Sequence, residues 1–378
     1  MKRNIYLFYT GGLKRETHII NDLIYKFNKI YLITIDTDIS KIKINQNIII
    51  KKLFFMKFFL FILNYFKFNF YIQSFINLVS LFLIDLFFSI YLLTKKTNPK
   101  DIIICENNIC KNLLKIAKFK KLISILDVSN IHLLDKYKIM ENVRGDKISF
   151  AEQIIINRGL CEYKLANKIT VLSTNVLNSF KKHKPEYFDK IHLVQSGVDT
   201  DLFFKRDSVN EYSICIVGAI SKYKNSHILF KVLNSIYDMK LRILIIGNYD
   251  STMSEIFIPN HTVTHIQHIE HNDLPKYYSS SKILCIASYI EGMPKVVLEA
   301  LACGTPVIGF QASSIGDIII NEKNGYVIEN DNFDEFKNKI ILALKGDLSK
   351  MQSFGTNFIK QNYKLEHYAK RLNKLFTN

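Results

Sequence analysis

Short apolar runs rich in β-branched residues alternate along this chain with longer stretches of helical periodicity, the pattern of βα units laid around a parallel sheet. In the first half the runs predict strands at Ile5–Tyr9, Ile30–Ile35, Asn47–Leu53, Asp101–Cys105, Leu122–Leu126, Ile169–Ser173 and Ile191–Val194. A polar stretch, Lys205 to Glu211, breaks the rhythm. It restarts with strands predicted at Ser213–Val217, Leu241–Gly247, Val263–Gln267, Ile283–Ala287 and Pro306–Phe310. Between these, Asn225–Asp238, Leu274–Ser281, Val296–Cys303 and Phe333–Leu344 read as helices. The expected architecture is α/β, with two doubly wound domains meeting near 205–211. A length of 378 residues suits two such domains, and only 14 Gly and 6 Pro favour long regular elements over a turn-rich sandwich.

One segment departs from this rhythm. Leu53 to Leu93 holds 12 of the 28 Phe residues, with Lys57, Lys67 and Asp85 as its charges. Asn64, Asn69, Gln73, Ser74, Asn77 and Ser80 interrupt each window long enough to span a bilayer, so no membrane-crossing helix is expected. Apolar helices flanked by Lys51, Lys52, Lys95 and Lys96 fit a segment lying in the bilayer interface. The alternative is a helical hairpin buried in the first domain.

Charge changes the picture further. The formal net charge is +17, of which residues 1–200 supply 31 basic minus 16 acidic, or +15. Such a field favours an anionic partner or simply aids solubility. Nucleic acid is disfavoured, since no binding motif accompanies the basic half. The six cysteines form no C-x-x-C pair and sit mostly in apolar runs, as reduced thiols of a cytosolic protein would. Near the N-terminus, Ile5–Tyr9 is shorter than a signal-peptide core, so export is not expected.

The chemistry concentrates between Glu291 and Ile308, in the string EGMPKVVLEALACGTPVI. It follows an apolar strand and opens a helix at about Pro294, a residue suited to the first turn. That placement puts Glu291 and the amides of Gly292 to Lys295 at the carboxyl end of a sheet, where open α/β folds bind ligands and where helix amides hold phosphate. Glu299 follows two turns into the helix.

The string resembles the E-x7-E signature of retaining glycosyltransferases of the GT-B fold, family 4. Other segments occur in the order that family has them. Val217-Gly218-Ala219-Ile220-Ser221-Lys222-Tyr223-Lys224 resembles its glycine loop and lysine, with Ala219 in place of the usual Arg. Gln195-Ser196-Gly197-Val198-Asp199 is similar to its inter-domain turn, Ser313 to Asp317 is a weaker echo of its G-G-x-x-E, and Gly11-Gly12 follows the first strand as its N-terminal glycine loop does.

The resemblance implies a GT-B fold of two Rossmann-like domains facing a cleft. Residues 1–205 would bind acceptor and 206–360 the donor, with a C-terminal helix in 361–378 packing back on the first domain. It implies Glu291 and Lys224 as catalytic residues, the first on donor-sugar hydroxyls and the second on the diphosphate. Glu299 would hold ribose, and Gly292, Met293, Pro294, Lys295, Gly218, Gly11 and Gly12 would line the donor site. The family's N-domain His falls on Leu126, leaving Asp127 and His132 as the nearest polar candidates, while His268 or Ile269 would lie near the base.

No cofactor or metal is expected beyond a nucleotide-sugar donor, taken as a UDP-sugar. Asp36-Thr37-Asp38 at a strand end is read as a capped turn, with a cation site as the alternative. His265, His268 and His271 would need to converge to hold a metal. The function implied is retaining, metal-independent transfer of a sugar to a glycan or lipid-linked acceptor of bacterial surface polysaccharide, such as lipopolysaccharide or capsule. The enzyme would work in the cytoplasm, peripheral on the inner face of an anionic membrane. The alternative is a non-catalytic, membrane-associated scaffold on a degenerate form of the same fold.

Overall fold

A computed structural model describes residues 3–10, 27–34, 47–52, 70–183, 185–250, 253 and 258–376. The first sheet contains β1 (Ile5–Tyr9), β2 (Ile30–Thr34), β3 (Ile48–Lys52), β4 (Ile102–Glu106), β5 (Ile123–Val128), β6 (Lys168–Val171) and β7 (Ile191–Leu193). Their order is β3-β2-β1-β4-β5-β6-β7. Each adjacent pair is parallel, with Ile5 opposite both Ile30 and Ile102. The second sheet holds β8 (Tyr212–Val217), β9 (Arg242–Ile246), β10 (Thr262–Ile266), β11 (Ser281–Ile286), β12 (Val307–Phe310) and β13 (Gly325–Ile328), ordered β10-β9-β8-β11-β12-β13. Helices cover both faces, so the central strands read as unbroken apolar runs; all five residues of β1 are buried.

The helices of the first half are α1 (Phe70–Leu93), α2 (Lys111–Phe119), α3 (Leu133–Arg144), α4 (Phe150–Leu165) and α5 (Thr174–His183). The second half adds α6 (Ser226–Asn234), α7 (Leu274–Ser279), α8 (Lys295–Ala302), α9 (Phe333–Lys345), α10 (Ser349–Asn362) and α11 (Leu365–Asn373). The predicted strands are found with ends displaced by a residue or two. β13 was not expected: four residues, GYVI, are too few to show a period. Its Gly325 is required because a Cβ there would lie 2.0 Å from the Val307 carbonyl oxygen.

Within the Phe-rich segment α1 is one continuous helix over Phe70–Leu93. Against the expectation from its polar interruptions, Ile72–Leu93 is long and apolar enough by length and composition to cross a membrane. One face nonetheless packs into the first domain. Asp85, fully buried, pairs with Arg158 of α4 and accepts from the amides of Asn112 (2.8 Å) and Leu113 (3.0 Å), so it also caps α2. Residues 53–69 lie outside the described structure.

The chain crosses between the sheets twice, and the crossings touch. Val198 donates to the Tyr363 carbonyl at 2.8 Å, and a Cβ on Gly197 would stand 2.6 Å from the Lys364 carbonyl oxygen. Beyond this junction Tyr368, Leu372 and Leu375 join Ile5, Leu7 and Ile30 in the core of the first sheet. All six cysteines are unpaired, and five are buried.

Candidate functional site

A doubly wound sheet opens a crevice where successive strands depart toward opposite edges, and ligands bind beyond the carboxyl ends there. In the second sheet that point lies between β8 and β11. A pocket of about 140 Å³ occupies it, walled by Gly218, Ala219, Lys224 and Ser226 on one side and by Ser288, Glu291, Pro294 and Lys295 on the other.

Local chain geometry builds each wall. After β8, Gly218 adopts φ +127°, a conformation L side chains rarely take, and its amide bonds the Ile246 carbonyl at 2.9 Å. The chain then turns through Ser221, whose hydroxyl accepts from the Lys224 amide at 3.1 Å, and enters α6 beneath the pocket. After β11 the loop reaches α8, where Pro294 is the N-cap at φ −72° and ψ 112° rather than a first-turn residue. The N-terminal amides of α8 and its dipole therefore end at the pocket, an arrangement suited to an anion.

Lys224 and Glu291 meet directly as an ion pair, Nζ to Oε1. The Glu291 loop also crosses to the first domain. A Cβ on Gly292 would be 1.8 Å from the Ser129 carbonyl oxygen, and the Met293 sulfur accepts from the Ser196 amide at 3.3 Å. Ser314 donates to the Glu291 carbonyl at 2.6 Å and accepts from the Asn175 side chain at 2.9 Å. Asp317 accepts from the Thr174 amide at 2.6 Å, so a carboxylate of the second domain caps α5 of the first. Sequence reading saw only a weak glycine-loop echo in Ser313–Asp317. Its part in joining the domains leaves no signal in a single chain.

Of the expected donor residues, Gly218, Lys224, Glu291, Pro294 and Lys295 converge on the pocket, while Gly292 and Met293 are turned to the domain junction. Glu299 lies outside the pocket wall. It is buried, accepting from Tyr278 Oη at 3.0 Å and lying 3.1 Å from His271 Nε2. Burial and the neighbouring carboxylate push the Tyr278 phenol well up, which keeps it a donor. A ribose would have to compete with both partners for Glu299.

The other candidates lie outside the pocket wall. Asp127 is buried within β5, accepting from Thr170 at 2.9 Å. His132 is the N-cap of α3, fully buried and stacked at 4.6 Å on His183 within a cluster that includes Phe180 and Tyr163. Both are placed there by local packing, and neither wall of the pocket includes them. His268 is an exposed side chain 3.5 Å from Glu270, and Ile269 packs on the second core. His265 bonds the Gly247 carbonyl at 2.8 Å and His271 turns to Glu299, so the three histidines do not converge. Among the described residues no three His, Cys, Asp or Glu side chains gather as a metal would need. Gly11, Gly12 and Asp36-Thr37-Asp38 lie outside the described residues. Sequence reading missed Gly247, at φ +148°, whose Cβ would strike the Gly218 carbonyl oxygen at 1.9 Å.

Comparison with known proteins places this geometry in context. Residues 198–364 match the family described as "Glycosyl transferases group 1". The capsular polysaccharide biosynthesis glycosyltransferase CapM of Staphylococcus aureus is 29% identical over 201 residues, 50% of each chain. The chain spans between 46% and 62% of the length of the first curated relatives it matches. Among solved structures, sucrose-phosphate synthase of Thermosynechococcus elongatus superposes with a TM-score of 0.70 at 15% identity, covering 100% of this chain and 98% of that one. A point mutant of Staphylococcus aureus TarM, in complex with fondaparinux, α-GlcNAc-glycerol and UDP, gives 0.65 at 13% identity, with 100% of both chains covered. The chain has the two-domain, Rossmann-like GT-B fold.

Proposed function

We propose, from a GT-B fold whose second domain matches the group 1 glycosyl transferases, that this protein moves a sugar from a nucleotide-sugar donor to a glycan or lipid-linked acceptor. The donor is read as a UDP-sugar, in line with the UDP bound by the TarM structure, and the product as a bacterial surface polysaccharide, in line with the CapM likeness. The work is assigned to the cytoplasmic face of the membrane. The observation that carries the reading is the Lys224–Glu291 pair at the switch point of the second sheet, facing the amino end of α8.

The chemistry follows from the charges. As the sugar leaves, negative charge grows on the nucleoside diphosphate. Lys224 exchanges Glu291 for that charge, and the α8 amides add fixed dipoles without moving. Lys295, in the pocket wall, supplies the second cation that Ala219 does not. Glu291, released from Lys224, accepts hydroxyl hydrogen bonds from the donor sugar. Because this set holds the leaving group, the transfer is assigned as metal-independent. Glu291 is committed to the sugar hydroxyls and is the one carboxylate among the described residues of the pocket wall, so retention is assigned to attack from the leaving-group face.

The test is thermal-shift screening against UDP, GDP, ADP and their sugars, since a ligand of the native state raises the melting temperature by mass action. Nucleoside diphosphate release is then measured. One diphosphate should stabilise the wild type, and Lys224→Ala should abolish both the shift and the release. If no nucleotide shifts the wild type and none is released from any sugar, the transferase reading is lost and a non-catalytic scaffold takes its place.

A further inference from the structure

α1 is built inside out for a helix facing water. Its charged and small polar side chains, Ser74, Ser80, Asp85 and Ser89, are buried, with Asp85 spanning to Arg158 and the amides of α2. Ile72, Phe75, Phe82, Leu86, Ile90 and Leu93 are exposed by 44–61% instead. Steps of three, seven, four, four and three residues place these six on one stripe, which runs nearly the full length of a 24-residue helix, about 36 Å. Isolated exposed apolar residues need no explanation, but a continuous stripe of this length marks a contact surface.

What borders the stripe identifies the contact. From residue 70 to 121 the chain carries eight lysines (95, 96, 100, 111, 115, 118, 120 and 121) against three acidic residues (Asp85, Asp101 and Glu106). Asp85 and Asp101 are buried, and Glu106 accepts from Thr10 Oγ1 at 2.6 Å. The neighbouring helix α2 turns Lys115, Lys118 and Phe119 outward, Phe119 at 84% exposure. An apolar stripe rimmed by unopposed lysines is complementary to acyl chains beneath anionic headgroups.

We propose that α1 lies in the plane of an anionic lipid bilayer, its stripe in the acyl boundary and the lysines of α2 and of the α1 C-terminus on the headgroups. The buried Asp85–Arg158 pair fixes the helix to the first domain in that orientation. The proposal stands on this surface alone and survives the loss of the transferase reading.

The chain has no tryptophan, so Leu86→Trp in the full-length protein adds one fluorophore at the centre of the stripe. On vesicles of phosphatidylglycerol and phosphatidylcholine its emission should shift to the blue and be quenched by brominated acyl chains. Vesicles of phosphatidylcholine alone should give a much smaller change, and added salt should weaken binding. Lys115→Gln with Lys118→Gln should weaken vesicle binding about twenty-five-fold, from roughly fivefold per lysine. Phe75→Gln with Ile90→Gln should weaken it about a hundredfold. All the substituted positions are exposed, and an unchanged melting temperature confirms folding. The proposal fails if the wild type ignores anionic vesicles, or if both double variants bind like it. It also fails if the stripe substitutions turn a dimer into a monomer, which would make a second copy the occupant. Resistance of the bound protein to alkaline carbonate extraction would mean a helix that spans rather than lies flat, and would overturn it too.

Discussion

The two sheets share the order of their first six strands, and among the described residues the second offers charged side chains to a pocket at its switch point. In the first, the corresponding ends of β1 and β4 are tied together, since Glu106 accepts from the Thr10 amide at 2.9 Å and from its hydroxyl. Three buried acidic groups of the first domain are committed in the same way. Asp85 caps α2, Glu162 accepts from the Asn108 and Cys110 amides, and Glu152 closes a capping box on Ser149 while bonding Arg144. In the second domain Lys224 and Glu291 hold only one another across the pocket, so a ligand has a charge to claim on either side. Among the described residues, the local satisfaction of polar groups separates the tied end of β1 and β4 from the chemically open pocket of the second sheet.

The difference breaks most sharply at the buried pair of the first domain. Asp85→Asn should destabilise that domain by up to about 3–5 kcal/mol, because buried Arg158 loses its nearest carboxylate and keeps only Glu162, at 3.9 Å. Denaturant melts should then separate into two transitions, with UDP still protecting the later one. A single early transition that takes nucleotide binding with it would show that the domains do not divide structure from chemistry as described.

The second domain yields the next effect. Lys224→Ala should lower turnover by roughly a hundred- to a thousandfold, as loss of a group aimed at developing charge does, with little change in melting temperature. Glu291→Ala should cost a comparable amount. The double variant should fall well short of the product of the two, since the partners share one interaction. Full additivity would mean that the two side chains act at separate places.

At the seam, Gly292→Ala forces a Cβ to within 1.8 Å of the Ser129 carbonyl oxygen unless the domains part. Nucleotide binding should survive, because Gly292 is not in the pocket wall, while turnover drops by up to about a hundredfold through misplacement of the Glu291 loop. A matching loss of nucleotide affinity would place Gly292 on the donor instead.

How much of this the sequence shows follows the same division. Glu291, Lys224, Gly218 and Pro294 lie in contiguous strings that follow predicted strands and resemble the family's motifs, so their place at strand ends was readable from the sequence together with that resemblance. The burial of Asp127 and His132 was not legible, because a single chain does not disclose it. Nothing in their neighbourhood shows that Thr170 lies beside one and His183 beside the other, more than 40 residues downstream. Gly247 and Gly197 were unreadable as constraints for the same reason, since each is required by a backbone distant in sequence. The length and inward polarity of α1 were hidden by its composition. Ser74 and Ser80 look like interruptions of an apolar run until Asp85 shows which face is turned inward.

The smallest effect probes the link between the domains. Asp317 reaches from the second domain to the Thr174 amide at the start of α5, and Tyr363 Oη donates to the Asp317 carbonyl at 2.7 Å from the hinge crossing. Asp317→Ala removes a helix cap of ordinary size, about 1 kcal/mol. If the cap only stabilises α5, melting of the first domain should shift and the donor KM should not. If it holds the Glu291 loop against the first domain, through Ser314 and Asn175, KM should rise several-fold while melting stays nearly unchanged. Two small outcomes, read on different instruments, thus separate a domain that merely leans on its partner from one that helps to shape the partner's site.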